Sequence, residues 1–149
     1  MKNCRILDLS NTNITNVDVL KNCYKLNLFG TNITDVTALK NCHSLDLSYT
    51  NVINVNALKN CHILSLRNTK ITDVSELTNC HSLDLAWTNI TNKDVKLLKN
   101  CHVLDLSHCK YITDDGVKLL NCRLLTLYGT NVTNECIENL KLHGCHVKF

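Results

Sequence analysis

Residues 3–21 read NCRILDLSNTNITNVDVLK, and this stretch returns with small changes along the chain. The first five repeat cysteines are spaced by 19 residues and the next two follow at 21: Cys4, Cys23, Cys42, Cys61, Cys80, Cys101 and Cys122. A Leu-x-Leu pair begins three residues after each of these seven cysteines, from Leu7 to Leu125. A fixed period of this length is typical of stacked units that bury their apolar faces against one another.

Each repeat predicts a strand followed by a helical turn. Leu7 and Leu9 alternate with polar residues, which indicates a short strand with one buried face. Ile14, Val17 and Leu20 recur at intervals of three, which favours a 3₁₀ turn with one buried stripe. The later repeats are longer, so we expect short α-helical turns there, at residues 93–98 and 115–120.

The pattern resembles the leucine-rich repeat family, in which Leu-x-x-Leu-x-Leu-x-x-Asn/Cys-x-Leu defines one unit. Cys4, Leu7, Leu9, Thr12 and Ile14 take the five defining positions, with cysteine for the first leucine and threonine for the asparagine. The resemblance implies an α/β fold, a right-handed solenoid with a parallel β-sheet on the concave face and 3₁₀ or short helical segments on the convex face. We expect a single domain over residues 1–149, with about seven repeats and a terminal strand.

Two subgroups of the family share further features with this chain. The repeat 101–121, with Cys109 in the asparagine position, is similar to the cysteine-containing repeats of F-box substrate receptors. The 19-residue units look like short repeat proteins of large amoeba-infecting DNA viruses.

Two further positions yield predictions about structure. An asparagine precedes each repeat cysteine, as Asn22 precedes Cys23, and we expect these asparagines to form a ladder inside the coil. At the end of the chain, residues 142–149 are predicted to form the terminal strand. Leu142 would take the cysteine position, and Cys145 and Val147 the two leucine positions, because this register keeps Lys148 out of the core.

The ten cysteines favour a reducing environment. The repeated ones occupy an apolar position, no Cys-x-x-Cys pair exists, and a reduced cysteine behaves as a small buried hydrophobe. We therefore expect buried thiols and a cytoplasmic protein, in the host cytoplasm if it is viral. Four Asn-x-Thr sequons, beginning at Asn13, Asn32, Asn89 and Asn131, arise from the repeat itself.

Charge and chemistry exclude several classes of function. A net charge of +3 is too small to indicate a nucleic-acid partner, and no apolar run reaches the ~20 residues of a membrane span. His43, His62, His81 and His102 each follow a repeat cysteine, but a column of parallel side chains does not converge on a metal ion. We predict no metal, no cofactor and no enzymatic activity.

The outward strand positions predict the surface that binds a partner. Arginine and the large aromatic residues dominate binding energy at interfaces, and here several occupy positions that the core does not need. The predicted partner-binding residues are Phe29, Tyr49, Arg67, Trp87 and Tyr128, together with the aspartates of the central outward column, Asp46, Asp84 and Asp105. The alternative for the aspartates is a solvated polar face.

The sequence therefore predicts a non-catalytic module that binds a protein through its concave sheet. One alternative is a structural protein that associates weakly with copies of itself through its open ends, since only Met1, Lys2 and Asn3 precede the first repeat. Another, implied by the F-box resemblance, is a substrate adaptor of a ubiquitin ligase.

Overall fold

A computed structural model describes residues 5–149, which form one parallel sheet of eight strands in chain order. Cys4 and the residues before it, including those of the predicted open end, lie outside the described residues. The strands are β1 (Ile6–Asp8), β2 (Lys25–Asn27), β3 (Ser44–Asp46), β4 (Ile63–Ser65), β5 (Ser82–Asp84), β6 (Val103–Asp105), β7 (Leu124–Thr126) and β8 (His146–Lys148). This sheet confirms the predicted leucine-rich-repeat solenoid.

The segments between the strands follow the repeat length. The 19-residue repeats carry single 3₁₀ turns, η1 (Asp18–Leu20), η2 (Thr37–Leu39), η3 (Asn56–Leu58) and η4 (Ser75–Leu77). The longer repeats carry α1 (Asn92–Val95) and α2 (Asp114–Val117), as the extra residues predicted, and α3 (Asn134–Leu142) follows β7. The α1 and α2 turns are shorter than expected and begin one residue earlier.

The strand register places equivalent residues of successive repeats side by side. Leu45 pairs with Leu26 on one side and with Leu64 on the other, and this alignment continues to Leu125. The inner leucines of β2 to β7 are at most 2% exposed. Because burying one leucine side chain stabilises the fold by about 2 kcal/mol, this column supplies much of the stability.

A threonine ladder occupies the position where the family usually has asparagine. The hydroxyls of Thr31, Thr50, Thr69 and Thr88 are buried, and each donates to the carbonyl oxygen three residues earlier, at 2.6–2.7 Å. The hydroxyl is thereby satisfied inside the coil, which explains how threonine replaces asparagine. The predicted ladder of asparagines is wrong, because the side chains at positions 22, 41, 60, 79, 100 and 121 are exposed.

The terminal strand exists, but in a different register from the predicted one. Val147 pairs with Leu125 and so takes the first leucine position, whereas Leu142 ends α3 and is exposed. The reason is that α3 is a stable helix: the hydroxyl of Thr133 accepts from the backbone N–H of Cys136, and one face of the helix is buried. The helix includes Leu142, which the prediction assigned to the strand.

Gly116 in α2 allows two consecutive helices to approach each other. A Cβ atom there would lie 3.1 Å from the Cα atom of Asn92 and in contact with its side-chain oxygen. That oxygen already accepts from the backbone N–H of Thr113 at 3.0 Å.

Gly116→Ala should therefore destabilise the protein, although alanine is the better helix former. We expect a loss of about 1–3 kcal/mol in the free energy of unfolding, measured by urea denaturation. Gly144→Ala is the control for backbone strain alone, since Gly144 has φ +90° and a Cβ atom added there would meet no other atom within 4 Å. A Gly116→Ala protein as stable as the parent would contradict this packing argument.

Candidate partner-binding surface

The predicted binding residues lie on the outward face of the sheet and on the turns that follow the strands. The ring centroids of Phe29 and Tyr49 are 5.1 Å apart, and Arg67 Nη1 lies 3.8 Å from Asp84 Oδ2. The indole of Trp87 stacks on His108, with ring centroids 4.0 Å apart and planes 21° apart. The predicted residues thus form separate small clusters: Phe29 with Tyr49, Arg67 with Asp84, and Trp87 with a partner that the prediction did not include.

The sequence prediction omitted His108, although its position in the repeat contained the necessary signal. It occupies the same position as Trp87 one repeat later, so stacking of the two rings follows from the parallel alignment of the turns. Trp87, Tyr49 and Tyr128 are each 48% exposed. About half of each ring is therefore available to a partner.

Tyr49 and Trp87 adopt a left-handed backbone conformation, with φ of 59° and 62°. The same turn position is left-handed in every repeat that the structure describes, and holds Asn11, Gly30, Asn68, His108 and Gly129 elsewhere. Glycine and asparagine tolerate this conformation, whereas a bulky side chain costs about 1–2 kcal/mol. Tyr49 and Trp87 are thus unfavourable choices for the turn itself.

The aspartates of the central column close the turns after their strands. The Oδ1 atoms of Asp46, Asp84 and Asp105 accept from the backbone N–H two residues later, at 2.8–2.9 Å. This bond gives each aspartate a structural role in addition to the predicted one. Burial raises the pKa of Asp84, and the neighbouring Asp105 raises it further, while Arg67 opposes the change.

The four histidines form a stacked column outside the core. Their ring centroids are 4.3–4.9 Å apart, and the first ring, His43, stacks on Tyr24 at 4.6 Å. The backbone carbonyls of His43, His62 and His81 also accept from thiols inside the coil, as His62 O does from Cys80 Sγ at 3.5 Å.

The repeat cysteines form a second column, inside the core. Nine cysteines are described, all of them buried, and no disulfide joins any two of them: Cys23, Cys42, Cys61, Cys80, Cys101, Cys109, Cys122, Cys136 and Cys145. Burial raises the pKa of Cys61, Cys80 and Cys122 to about 12 and that of Cys42 and Cys101 to about 11. These thiols are protonated at neutral pH and are poor nucleophiles.

A groove between the segment after α2 and helix α3 was not predicted. It has a volume of about 780 Å³ and is bordered by Leu119 and Leu120 on one side and by Glu135, Asn139 and His143 on the other. The groove exists because α3 lies beside the preceding repeat. A helical turn was predicted in every repeat, but not a helix as long as α3.

The described residues hold neither a metal-binding cluster nor a membrane-spanning helix. No group of three or more histidine, cysteine, aspartate or glutamate residues between positions 5 and 149 is arranged to hold a metal ion. No helix in the described part of the chain is both long and apolar enough to cross a membrane.

Comparison with known proteins supports the assignment made from the fold. The family model described as Leucine Rich repeat matches residues 78–99 and 100–120. No curated protein sequence matches the chain. This match identifies leucine-rich repeats over residues 78–120, and the parallel sheet with its ladder of inner leucines extends the same architecture along the described part of the chain.

Solved structures of internalins from Listeria monocytogenes share this fold. Internalin C2 is 26% identical, with a TM-score of 0.77, over 96% of this chain and 69% of that one. The internalin InlF is 21% identical, with a TM-score of 0.73, over 97% of this chain and 46% of that one. The functional domain of InlJ, which is described as including a cysteine ladder, is 24% identical, with a TM-score of 0.67, over 93% of this chain and 33% of that one. The chain thus spans less than half the length of two of these three proteins.

Proposed function

We propose that this protein binds a protein partner through the outward face of its sheet, without catalysis. Leucine-rich-repeat proteins and internalin-like domains are generally non-enzymatic protein-binding domains, which supports the general class. The particular face, and the residues Phe29, Tyr49, Arg67, Trp87 and Tyr128 with Asp46, Asp84 and Asp105, belong to the proposal.

The observation that carries this proposal is the environment of Trp87. Its ring is half exposed and its backbone is in the left-handed region, so the residue leaves a large aromatic surface open to a partner and strains its own turn. A large aromatic side chain that folding does not require is a candidate anchor for a partner. Tyr49 repeats the same arrangement two repeats earlier.

Trp87→Asn tests the proposal, because Asn11 and Asn68 hold the same turn position with φ of 56° and 52°. We expect the melting temperature to stay the same or to rise, since asparagine tolerates the left-handed backbone. Affinity for a partner captured with the unmodified protein should fall by about 2 kcal/mol, roughly 30-fold, in calorimetric titration.

The matched control is Tyr111→Ala, which removes an exposed aromatic side chain from outside the sheet. It should leave the affinity unchanged. If Trp87→Asn lowers the melting temperature and leaves the affinity intact, Trp87 is structural and the proposed face is wrong.

We also propose a reducing compartment, such as the cytoplasm, for this protein. The nine described cysteines are buried and no disulfide joins any two of them, and thiols such as those of Cys61 and Cys80 donate to backbone carbonyls, which supports the proposal.

A further inference from the structure

A second surface lies along the edge of the sheet where the strands begin, and we call it the basic rim. It consists of two rows of residues that border the repeat cysteines. Lysines stand two residues before the cysteine, and histidines or arginines one residue after it: Lys21, Lys40, Lys59 and Lys99, and Arg5, His43, His62, His81, His102 and Arg123. Lys21 and Lys40 border one depression, and its lining also includes Asn22, Asn41 and, on its convex side, Asp18.

The stacking of the histidines determines what the rim offers to a partner. Each inner ring is covered on both faces by its neighbours, at centroid distances of 4.3–4.9 Å. The ring edges, with their nitrogen atoms, are therefore what a partner meets. Nucleic-acid bases bind proteins by stacking on open aromatic faces, and the inner rings of this column have none.

The charges around the column are unevenly distributed. Within residues 5–149 neither row of the rim holds a carboxylate, and the first outward position of β2 adds Lys25. Carboxylates occur on the convex elements that lead into the rim. Asp18 accepts from the side chain of Asn16, and Asp94 accepts from the backbone of Thr91. Asp115 forms ion pairs with Lys96 and Lys118, and Glu76 is exposed. On the other side lie the outward-face aspartates at positions 8, 46, 84 and 105.

The rim is thus a narrow cationic strip between two surfaces that carry acidic groups. A broad polyanion, such as a membrane or duplex DNA, would bring its phosphates against those carboxylates as well as against the strip. A thin and linear anion would contact the strip alone, and an extended peptide has this shape.

We propose that the basic rim binds an extended protein segment rich in aspartate and glutamate, and that binding strengthens on mild acidification. This surface is distinct from the proposed outward-face site. Imidazole gains a positive charge between about pH 8 and pH 5, so a lower pH adds cations to the strip. The added charge increases the attraction for a carboxylate-bearing partner.

Neighbouring histidines oppose the gain of charge at His81 in the free protein. Burial lowers the pKa of His81, and His102 and His62 lower it further. A row of bound carboxylates would offset this repulsion, so binding should be accompanied by proton uptake near pH 6.

The test is a calorimetric titration of the protein with a twelve-residue poly-aspartate peptide, at about pH 7.5 and about pH 6. We expect the peptide to bind at both pH values, with about tenfold higher affinity at the lower pH. The affinity should decrease when salt is added. The double variant His62→Tyr with His81→Tyr should bind the peptide as tightly as the unmodified protein at the higher pH. It should lose most of the increase in affinity at the lower pH. Tyrosine is the matched replacement, because Tyr24 already stacks in this column on His43.

Further variants locate the site. Lys40→Gln with Lys59→Gln should weaken binding at both pH values, whereas Lys70→Gln with Lys110→Gln, on the turns after the strands, should not. Trp87→Asn should also leave poly-aspartate binding unchanged, which separates this proposal from the outward-face site.

The proposal is overturned if the peptide does not bind, if the tyrosine variant keeps the full pH effect, or if the two lysine pairs weaken binding equally. It is also overturned if an oligothymidylate or phosphatidylserine vesicles bind the rim more tightly than the peptide does.

Discussion

Raising the pH from about 8 to about 10 should strongly destabilise this protein in the presence of a reductant. Five buried thiols, those of Cys42, Cys61, Cys80, Cys101 and Cys122, have their pKa raised to about 11 or 12 from an ordinary value of 9.0, chiefly by burial. Between those values the unfolded chain releases protons that the folded chain keeps. The stabilisation is therefore fully present below pH 9 and is lost as the pH rises toward 11.

The size of this effect is comparable to the stability of a whole domain. At pH 10, each thiol with an unfolded pKa of 9.0 favours the unfolded state by roughly 1 kcal/mol. Five such thiols together give a loss of the order of 5 kcal/mol, and domains are typically stable by about 5–15 kcal/mol.

Urea denaturation followed by circular dichroism at several pH values measures this loss. The double variant Cys61→Ala with Cys80→Ala removes two titrating groups and should show a shallower decrease with pH, whatever its stability at neutral pH. A free energy of unfolding that stays constant from pH 8 to pH 10 would show that the thiols are not buried as described.

The repeat core could be predicted from the sequence because one rule is applied in every repeat. Cys23, Leu26 and Leu28 recur at a constant spacing, and the parallel register places each of them beside its equivalent in the next repeat. Packing in such a stack depends on sequence position alone, so the inner columns and the strand order followed directly. The longer spacing after Ile90 likewise predicted α1.

The end of the chain could not be predicted in the same way, because the repeat spacing does not continue there and a local helix forms instead. The Thr133 cap and the buried face formed by Cys136, Ile137 and Leu140 stabilise α3. The resulting helix shifts β8 by two residues from the predicted register.

The sequence predicted where the residues of the candidate site lie in the repeat, but it did not predict which side chains contact one another. The outward placement of Arg67 and Trp87 follows from the alternation along the strands and turns. The stacking of Trp87 on His108, the bond from Ala86 N–H to Asp84 and the closed faces of the histidine column depend on side-chain conformations that spacing does not specify.

Leu64→Ala should destabilise the protein far more than Ile63→Ala, although the two residues are adjacent in β4. Leu64 is 1% exposed and lies between Leu45 and Leu83 in the inner column, whereas Ile63 faces outward and is 45% exposed. Truncation at Leu64 removes buried contacts on both sides and leaves a cavity, which lowers the free energy of unfolding by about 2–5 kcal/mol. Truncation at Ile63 should lower it by less than about 1 kcal/mol.

The shape of the unfolding transition gives a second test of the same stack. Because each repeat contacts only its neighbours, a cavity at β4 weakens the coupling between the repeats before it and those after it. We therefore expect the Leu64→Ala transition in urea to broaden or to separate into two steps, while the Ile63→Ala transition stays single and steep. An equal loss in the free energy of unfolding for the two variants would mean that the side chains of β4 do not alternate between a buried and an exposed face. Since the fold depends on that alternation in every repeat, this single pair of adjacent residues tests the architecture as a whole.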